Sequence, residues 1–220
     1  MKIKVIENVL RDNDAVARAN RELMNAAGVL ALNITSAPGS GKTTLLQRTI
    51  DQLQPQRRCA VLVGDLQTTR DAERLSRDDT DVAQINTGRG CHLSAAQVAQ
   101  GLENLRLDRV DFLFIENVGN MVCPAGFDLG EHLRVALLSV PEGDDKVAKY
   151  PTLFQPADVI VVNKIDLIGV LDFDLRRVTD DLSRINTRAP LIQLSARTGA
   201  GFDTWQEWLE ERKEQGGRVS

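Results

Sequence analysis

The segment Ser36-Ala37-Pro38-Gly39-Ser40-Gly41-Lys42-Thr43 constrains the fold of this 220-residue chain more than any other feature. The apolar run at 29–34 before it predicts a buried strand, and four apolar residues after it recur at helical spacing. These residues are Leu45, Leu46, Ile50 and Leu53. A small-residue turn between strand and helix that ends in Gly-Lys-Thr predicts a phosphate-binding loop. The strict pattern begins with glycine, and Ser36 is a mild departure from it.

The residue types of this loop suit a nucleoside triphosphate. Glycines let backbone N–H groups turn toward an anion, and the helix N-terminus adds partial positive charge. Lys42 can reach the β- and γ-phosphates, and the Thr43 hydroxyl can ligate Mg²⁺. The residues expected to contact the nucleotide here are Gly39, Ser40, Gly41, Lys42, Thr43 and Thr44.

Further apolar runs predict five more buried strands, at 59–63, 110–115, 135–140, 159–162 and 191–194. Several are continuous rather than alternating, as in parallel strands covered on both faces. Helical patterns alternate with them, one after Ser94 and one over 175–185. The prediction is an α/β P-loop NTPase with a mainly parallel sheet flanked by helices.

One domain is expected over residues 1–214, followed by a disordered tail at 215–220. Its first part, about 1–27, is expected to be a helical lead-in. The apolar positions of this lead-in are Ile6, Val9, Leu10, Val16 and Leu23.

Composition narrows the function classes. Hydrophobic residues make up 42% of the chain and charged residues 26%, as in globular proteins, and no apolar run approaches the ~20 residues of a membrane span. A net charge of −4 argues against a general nucleic-acid binder. Three cysteines and a start without signal-peptide character predict a cytoplasmic protein.

A second nucleotide motif, Asn163-Lys164-Ile165-Asp166, follows the apolar run at 159–162, where open α/β sheets place their ligands. The Asp166 carboxylate can accept hydrogen bonds from N1–H and the amino group of guanine, which adenine does not offer. The stem of Lys164 can cover the base, and Ser195 with Ala196 can close the pocket. Together Asn163, Lys164, Asp166, Ser195 and Ala196 predict binding of GTP and GDP.

Acidic residues after two strands are candidates for holding Mg²⁺ and the attacking water. Glu116 stands where most GTPases carry the Asp of Asp-x-x-Gly, and the N–H of Gly119 can approach the γ-phosphate. Asp65 and Asp71 are expected nearby, although a solvated carboxylate at a helix start explains Asp71 nearly as well. The candidate catalytic residues are therefore Lys42, Asp65, Asp71 and Glu116.

Cys91 and His92 lie between Asp71 and Glu116 in the chain, and Cys123 follows Gly119 by four residues. Thiolate and imidazole are ligands for Zn²⁺, Ni²⁺ or Cu, and a fourth ligand would come from water or from another chain, so a two-fold dimer is one solution. Buried inert thiols are the alternative on composition alone, and Cys59 is assigned to that class. His132 is expected at the surface or in a supporting position.

Longer segments resemble the hydrogenase nickel-incorporation GTPases, the HypB family. They lie at 36–46, 87–93, 114–124 and 127–132, and the Cys-His and Asn-Val-Gly-Asn-Met-Val-Cys-Pro elements are the most specific of them. The resemblance implies a SIMIBI-type G domain with slow GTP hydrolysis that supports nickel delivery. It also implies Mg²⁺ on Thr43, Asp71 and Glu116, and Ni²⁺ or Zn²⁺ on Cys91, His92 and Cys123 at the interface of a GTP-dependent homodimer. The implied partners are a small zinc-containing nickel chaperone and the hydrogenase large-subunit precursor.

The chain departs from many members of this family in having no Cys before Cys59 and no His before His92, so a second, N-terminal nickel site is not expected. Arg89 could favour the Cys91 thiolate or face solvent. Other hypotheses are a GTPase that serves urease, a regulatory GTPase with structural zinc, an ATP-dependent kinase and a zinc-stabilised binding module. Because Cys123 follows Glu116 by seven residues, we expect nucleotide state to alter the thiolate site.

Overall fold

A computed structural model describes residues 9–65, 70–77, 79–88 and 90–216. Within these residues, seven strands form one sheet in which every pairing is parallel. They are β1 (Leu30–Ser36), β2 (Cys59–Asp65), β3 (Asp81–Asn86), β4 (Phe112–Glu116), β5 (Leu133–Ser139), β6 (Val159–Asn163) and β7 (Leu191–Gln193). The order β3-β2-β4-β1-β5-β6-β7 puts β1 in the middle and confirms the predicted fold class.

The helices within these ranges cover both faces of the sheet. They are α1 (Val9–Ala26), α2 (Lys42–Leu53), α3 (Arg70–Leu75), α4 (Ala95–Leu102), α5 (Lys146–Lys149), α6 (Pro151–Phe154), α7 (Leu175–Ile185) and α8 (Phe202–Glu214). Short 3₁₀ turns occur at Leu107–Arg109, Cys123–Gly126, Val140–Glu142 and Ile165–Leu167. Helices α2, α3 and α8 share one core with the sheet, whereas α1 and α4, and α5 to α7, build two cores on the other face.

The six predicted strands all occur, but β3 was missed. Its residues are half-buried at the edge of the sheet, and Gln84 interrupts its apolar residues Val82, Ala83 and Ile85. An edge strand with one neighbour needs no continuous apolar run, so periodicity alone did not reveal it. The predicted helix after Ser94 is confirmed, with Ser94 and Gln97 forming a reciprocal capping box.

Helix α1 occupies Val9–Ala26 of the predicted lead-in, but its buried face differs from the apolar set in the sequence. Leu23 is 51% exposed, and Ile6 lies outside the described residues. Among residues 11–26, the buried positions are Asn13, Ala17, Asn20 and Met24. Two of these four are amides, so hydrogen bonding as well as apolar burial holds this helix.

The structure describes only part of the predicted disordered tail. Of the tail predicted at 215–220, Gln215 and Gly216 continue the last turn of α8, and residues 217–220 lie outside the described part. No helix within the described ranges is long and apolar enough to cross a membrane.

Candidate functional site

The phosphate-loop segment connects β1 to α2 at the carboxyl edge of the sheet. Gly41 has φ 97°, a left-handed conformation that glycine adopts without strain, and α2 begins at the next residue. The loop borders a cleft of about 480 Å³. This is where the strand order reverses around β1, the usual ligand position in open α/β sheets.

Ser36, the departure from the strict motif, contacts the motif lysine. Lys42 Nζ donates to Ser36 Oγ over 3.1 Å, and both residues are buried. Burial lowers the pKa of Lys42, while the nearby Glu116 carboxylate opposes that shift. The serine side chain therefore holds the lysine head at the floor of the cleft.

Glu116, at the end of β4, faces the first residues of α2. Thr43 Oγ1 donates to Glu116 Oε1 over 2.8 Å. Desolvation raises the pKa of Glu116 to about 7, and Lys42 and Thr43 oppose the rise. Its second oxygen, Oε2, is buried and has no hydrogen-bond partner among the described residues. A buried carboxylate oxygen without a partner, beside a hydroxyl, is a donor set suited to a hard cation such as Mg²⁺.

Asp65 and Asp71 line the same cleft as Glu116. Asp65 ends β2, and Asp71 lies in the first turn of α3, where Arg74 contacts it at 3.5 Å. The structure thus brings all four predicted catalytic residues to one cleft. The segment 66–69 between the two aspartates lies outside the described residues.

The Asn163-Lys164-Ile165-Asp166 motif at the end of β6, two strands away from β1, supports the phosphate loop. Asn163 Nδ2 donates to Ser40 O over 2.9 Å, and Lys164 Nζ donates to Gly39 O over 2.6 Å. Asn163 Oδ1 accepts from Ala196 N over 3.0 Å, which ties the last loop to the same place. Asp166 is exposed in the following turn and is not among the residues that line the cleft.

Gly119 and the pair Ser195-Ala196 lie on the two sides of this region. Gly119 lines the cleft and packs on the loop, since a Cβ there would be 2.8 Å from Pro38 Cα. Ser195 and Ala196 are buried after β7, and Arg48 Nε donates to Ala196 O over 2.8 Å. The predicted nucleotide residues therefore surround one end of the sheet.

Cys91, His92 and Cys123 form a cluster at the same edge. Their ligand atoms all lie within 4.8 Å of one another, and Cys91 Sγ is 3.5 Å from His92 Nδ1. Hydrogen bonding with the Cys123 thiol raises the pKa of Cys91, and burial lowers the pKa of His92. A neutral imidazole beside two thiols is a donor set for Ni²⁺ or Zn²⁺. Arg89 lies outside the described residues.

Two residues with no role in the sequence predictions support this cluster. The ring of Phe127 lies 3.9 Å from that of His92, centroid to centroid. Asn117, next to Glu116, binds the backbone of Leu93, next to His92. Asn117 also donates to Asn33 of β1 over 3.2 Å. The polar Asn33 within the otherwise apolar run at 29–34 was the available sequence signal for this buried network.

Cys59 and His132 lie away from the cluster. Cys59 is buried at the start of β2, and desolvation raises its pKa to about 12, in agreement with an inert thiol. His132 Nδ1 accepts from Ala31 N, and Nε2 is 2.9 Å from Asn25 Oδ1. Both ring nitrogens are therefore occupied near the amino end of β1, opposite to the cleft.

The chain is similar to one protein family over most of its length. The family model described as CobW/HypB/UreG, nucleotide-binding domain, matches residues 30–193. The hydrogenase maturation factor HypB of Escherichia coli K12 is 46% identical over 211 residues, which are 96% of this chain and 73% of that protein. The hydrogenase/urease maturation factor HypB of Helicobacter pylori J99 is 41% identical over 215 residues, 96% of this chain and 88% of that protein.

A solved structure is similar over nearly the same extent. The crystal structure of Helicobacter pylori HypB in complex with nickel matches with a TM-score of 0.90 and 38% identity, covering 95% of this chain and 98% of that one. These matches confirm the predicted resemblance and the SIMIBI-type P-loop fold.

Proposed function

Because this chain belongs to the CobW/HypB/UreG family of nucleotide-binding domains, we propose that it is a GTP-hydrolysing metallochaperone. Its nucleotide state controls the binding and delivery of nickel during [NiFe] hydrogenase maturation. The observation that carries this proposal is the cluster of Cys91, His92 and Cys123 at the sheet edge that also bears the phosphate loop. A regulatory GTPase without a transition metal would leave the two thiols and the imidazole unused.

The proposed reaction is attack of water on the γ-phosphorus of GTP, with cleavage of its bond to the β–γ bridging oxygen and release of GDP and phosphate. The backbone of residues 39–44 binds the phosphates, and Lys42 neutralises charge on the β- and γ-oxygens. Asp65 and Asp71, which line the cleft, orient the attacking water. The water hydrogens leave with the phosphate and to solvent.

The oxygens of Thr43 and Glu116 fit Mg²⁺, with Asp71 at the same side of the cleft. The partnerless Glu116 Oε2 supports this assignment, since a buried oxygen needs either a donor or a cation. When bound, Mg²⁺ neutralises charge on the phosphate oxygens. In its absence, the raised pKa of Glu116 keeps part of this carboxyl protonated.

Guanine is selected by Asp166, in the turn after Asn163 and Lys164. Asn163 and Lys164 bind the phosphate loop directly, so base and phosphate recognition share one rigid support. Ser195 and Ala196 close the other side of the base. Adenine would leave the carboxylate unpaired, which costs about 1–3 kcal/mol.

Nickel is the cargo, held by Cys91, His92 and Cys123, with a fourth ligand from water or from a second copy of the chain. Val122, beside Cys123, is 59% exposed, which supports a contact between two copies at this edge. A GTP-dependent homodimer would pool two such clusters around a two-fold axis. A small zinc-containing nickel chaperone and the hydrogenase large-subunit precursor are the proposed donor and acceptor of the cargo.

The test is a titration of Ni²⁺, with Zn²⁺ in parallel, into nucleotide-free, GDP-bound and non-hydrolysable-GTP-bound protein, with the oligomeric mass followed throughout. We expect nickel affinity to differ between the nucleotide states, and nickel to change nucleotide affinity by the same factor. Absence of any mutual effect would refute the proposed control. Binding of Zn²⁺ alone, in every state, would instead favour a GTPase with a structural zinc site.

Service to another nickel enzyme is the second candidate. It is favoured by the 41% identity to a protein described as a hydrogenase/urease maturation factor. Both candidates share the cleft and the cluster and differ only in the acceptor. Transfer of labelled nickel from the GTP-loaded protein to a hydrogenase large-subunit precursor or to apo-urease separates them.

A further inference from the structure

Helix α1 is hydrogen-bonded to the loop that carries Cys123 and to Ala95, the residue that follows the loop of Cys91 and His92, although it contributes no ligand itself. We call residues 90–94 the Cys-His loop and residues 117–132 the Cys123 loop. Asn20 Nδ2 donates to Ala95 O over 2.9 Å and to Leu129 O over 3.0 Å. Ala95 directly follows the Cys-His loop, and Leu129 belongs to the Cys123 loop. One buried amide therefore spans the two segments.

Asn13, two turns earlier on the same helix, makes a second bridge between the same segments. Its Oδ1 accepts from Ala95 N over 2.9 Å, and its Nδ2 donates to Asp128 O over 2.8 Å. The N–H and the C=O of Ala95 are thus both bound by side chains of α1. Asn13 and Asn20 are both buried.

The bridged residues lie close in sequence to the candidate ligands. Ala95 is three residues after His92, and Asp128 directly follows Phe127, whose ring lies 3.9 Å from the His92 ring. The Cys123 loop also sits directly on α1, because a Cβ at Gly130 would be 2.6 Å from Ala17 O. A shift of α1 would therefore act on both sides of the cluster.

We propose that Asn13 and Asn20 are positioning residues for the metal cluster. Their hydrogen bonds hold Ala95, at the end of the Cys-His loop, next to the Cys123 loop, so that both thiols stay within reach of one ion. An asparagine that only anchored α1 would need a single partner segment, whereas each of these amides spans two. The role in nickel binding rests on the proposed function; the positioning itself is a property of the metal-free chain.

The variants Asn13→Leu and Asn20→Leu test this proposal. Asn186→Leu is a matched control, because Asn186 is also buried and its Nδ2 also bridges two carbonyls, Phe154 O at 2.9 Å and Ala157 O at 2.8 Å, away from the cluster. All proteins are compared at a temperature at which each of them is folded. The first readout is the rate at which diamide oxidises Cys91 and Cys123 to a disulfide in metal-free protein. Diamide accepts the two electrons and two protons that the thiols lose. The other readouts are Ni²⁺ affinity, the thiolate-to-nickel absorption band and GDP affinity.

Asn13→Leu and Asn20→Leu are expected to slow disulfide formation and to weaken nickel binding by about 10-fold or more, as for other residues that orient ligands. GDP affinity should stay at the wild-type value, and Asn186→Leu should change neither the disulfide rate nor nickel binding. A wild-type disulfide rate in both α1 variants, or an equal decrease in Asn186→Leu, would overturn the proposal. If the wild-type protein bound no nickel, the proposed function would fail, and the disulfide rates would still decide whether these residues position the thiols.

Discussion

Asn117 Oδ1 accepts a hydrogen bond from the backbone N–H of Leu93 over 3.2 Å. Asn117 follows Glu116 in the cleft at the phosphate loop, and Leu93 follows His92 in the cluster of Cys91, His92 and Cys123. Leu93 is also packed against β2, because a Cβ at Gly64 would be 2.8 Å from Leu93 Cγ. A displacement at the end of β4 or β2 therefore reaches the Cys-His loop through one residue.

Asn117→Ala should separate the two sites from each other. We expect each ligand to bind alone, but the factor by which nucleotide state changes nickel affinity, about 5–150-fold in coupled systems, should fall toward one. The measurement is nickel titration of the GDP and non-hydrolysable-GTP forms of the variant.

Asn33→Ala is the control for this variant. Asn33 is buried, and its Oδ1 accepts from Asn117 Nδ2. Its replacement by alanine leaves the hydrogen bond between Asn117 and Leu93 in place. Each substitution leaves the buried amide of the other asparagine without this partner, which costs about 1–3 kcal/mol of stability. Equal loss of coupling in the two would contradict a specific role for the Asn117–Leu93 bond.

Lys42→Ala should remove nucleotide binding and spare the metal cluster. Loss of a charge-assisted contact to phosphate is worth about 1.5–3 kcal/mol, so GDP and GTP affinities should fall by about 10–100-fold. Fluorescent-nucleotide titration measures this loss. Nickel affinity of the nucleotide-free variant should equal that of the nucleotide-free wild type, and a parallel loss of nickel binding would indicate misfolding.

Cys123→Ala should have the reverse effect. Removal of one of three ligands should weaken nickel binding by at least about 10-fold, while GTP affinity is largely kept. Cys59→Ala is the matched control, because that thiol is buried at the start of β2. If Cys59→Ala reduced nickel binding as much as Cys123→Ala, the cluster would not be the nickel site.

Asp166→Asn should change the base that the cleft selects. The variant amide offers a donor where the carboxylate accepted from the guanine amino group, and xanthine carries a carbonyl oxygen at that position. We expect GTP affinity to fall by about 10–100-fold and XTP affinity to rise. Competition of GTP, XTP and ATP against a labelled guanine nucleotide measures the change, and an unaltered preference for GTP would exclude Asp166 as the base-reading residue.

His132 should contribute stability that depends on pH. Burial, assisted by the positive charges of Arg21 and Lys213, lowers its pKa to about 4. Neutral Nδ1 accepts from Ala31 N, a bond that protonated Nδ1 could not make. The unfolded chain, in which this pKa is near its ordinary value of about 6.5, binds more protons between these values, so stability is complete above about pH 6.5 and is lost as pH falls toward 4.

The loss attributable to His132 should be about 1 kcal/mol between about pH 7.5 and pH 5, after allowance for partial exposure. Urea unfolding of metal-free protein at the two pH values measures it. His132→Asn, whose Oδ1 can still accept from Ala31 N, should show a smaller pH dependence than the wild type. An unchanged pH dependence would mean that His132 does not titrate as described. His92, whose pKa burial also lowers, is present in both proteins and cancels in the comparison.

Local sequence predicted much of this fold because strongly apolar runs and a capped helix are determined by nearby residues. The six predicted strands and the Ser94 cap belong to this class. Strand β3 does not, because its place at the sheet edge depends on pairing with β2. The buried face of α1 does not either, since Asn13 and Asn20 are buried for partners more than 70 residues away.

The sequence by itself determined which side-chain chemistry is available: a phosphate-loop motif at Gly39 to Thr43, the Asp166 carboxylate as a candidate acceptor for guanine, and two thiols with an imidazole as candidate ligands for a soft or borderline metal. These choices follow from side-chain type and short spacing. Only the tertiary structure decided that Cys91 and His92 meet Cys123, and that Asn117 lies between this cluster and Glu116. Parallel strands bring distant segments to one edge of a sheet, and no property of either segment alone contains that proximity.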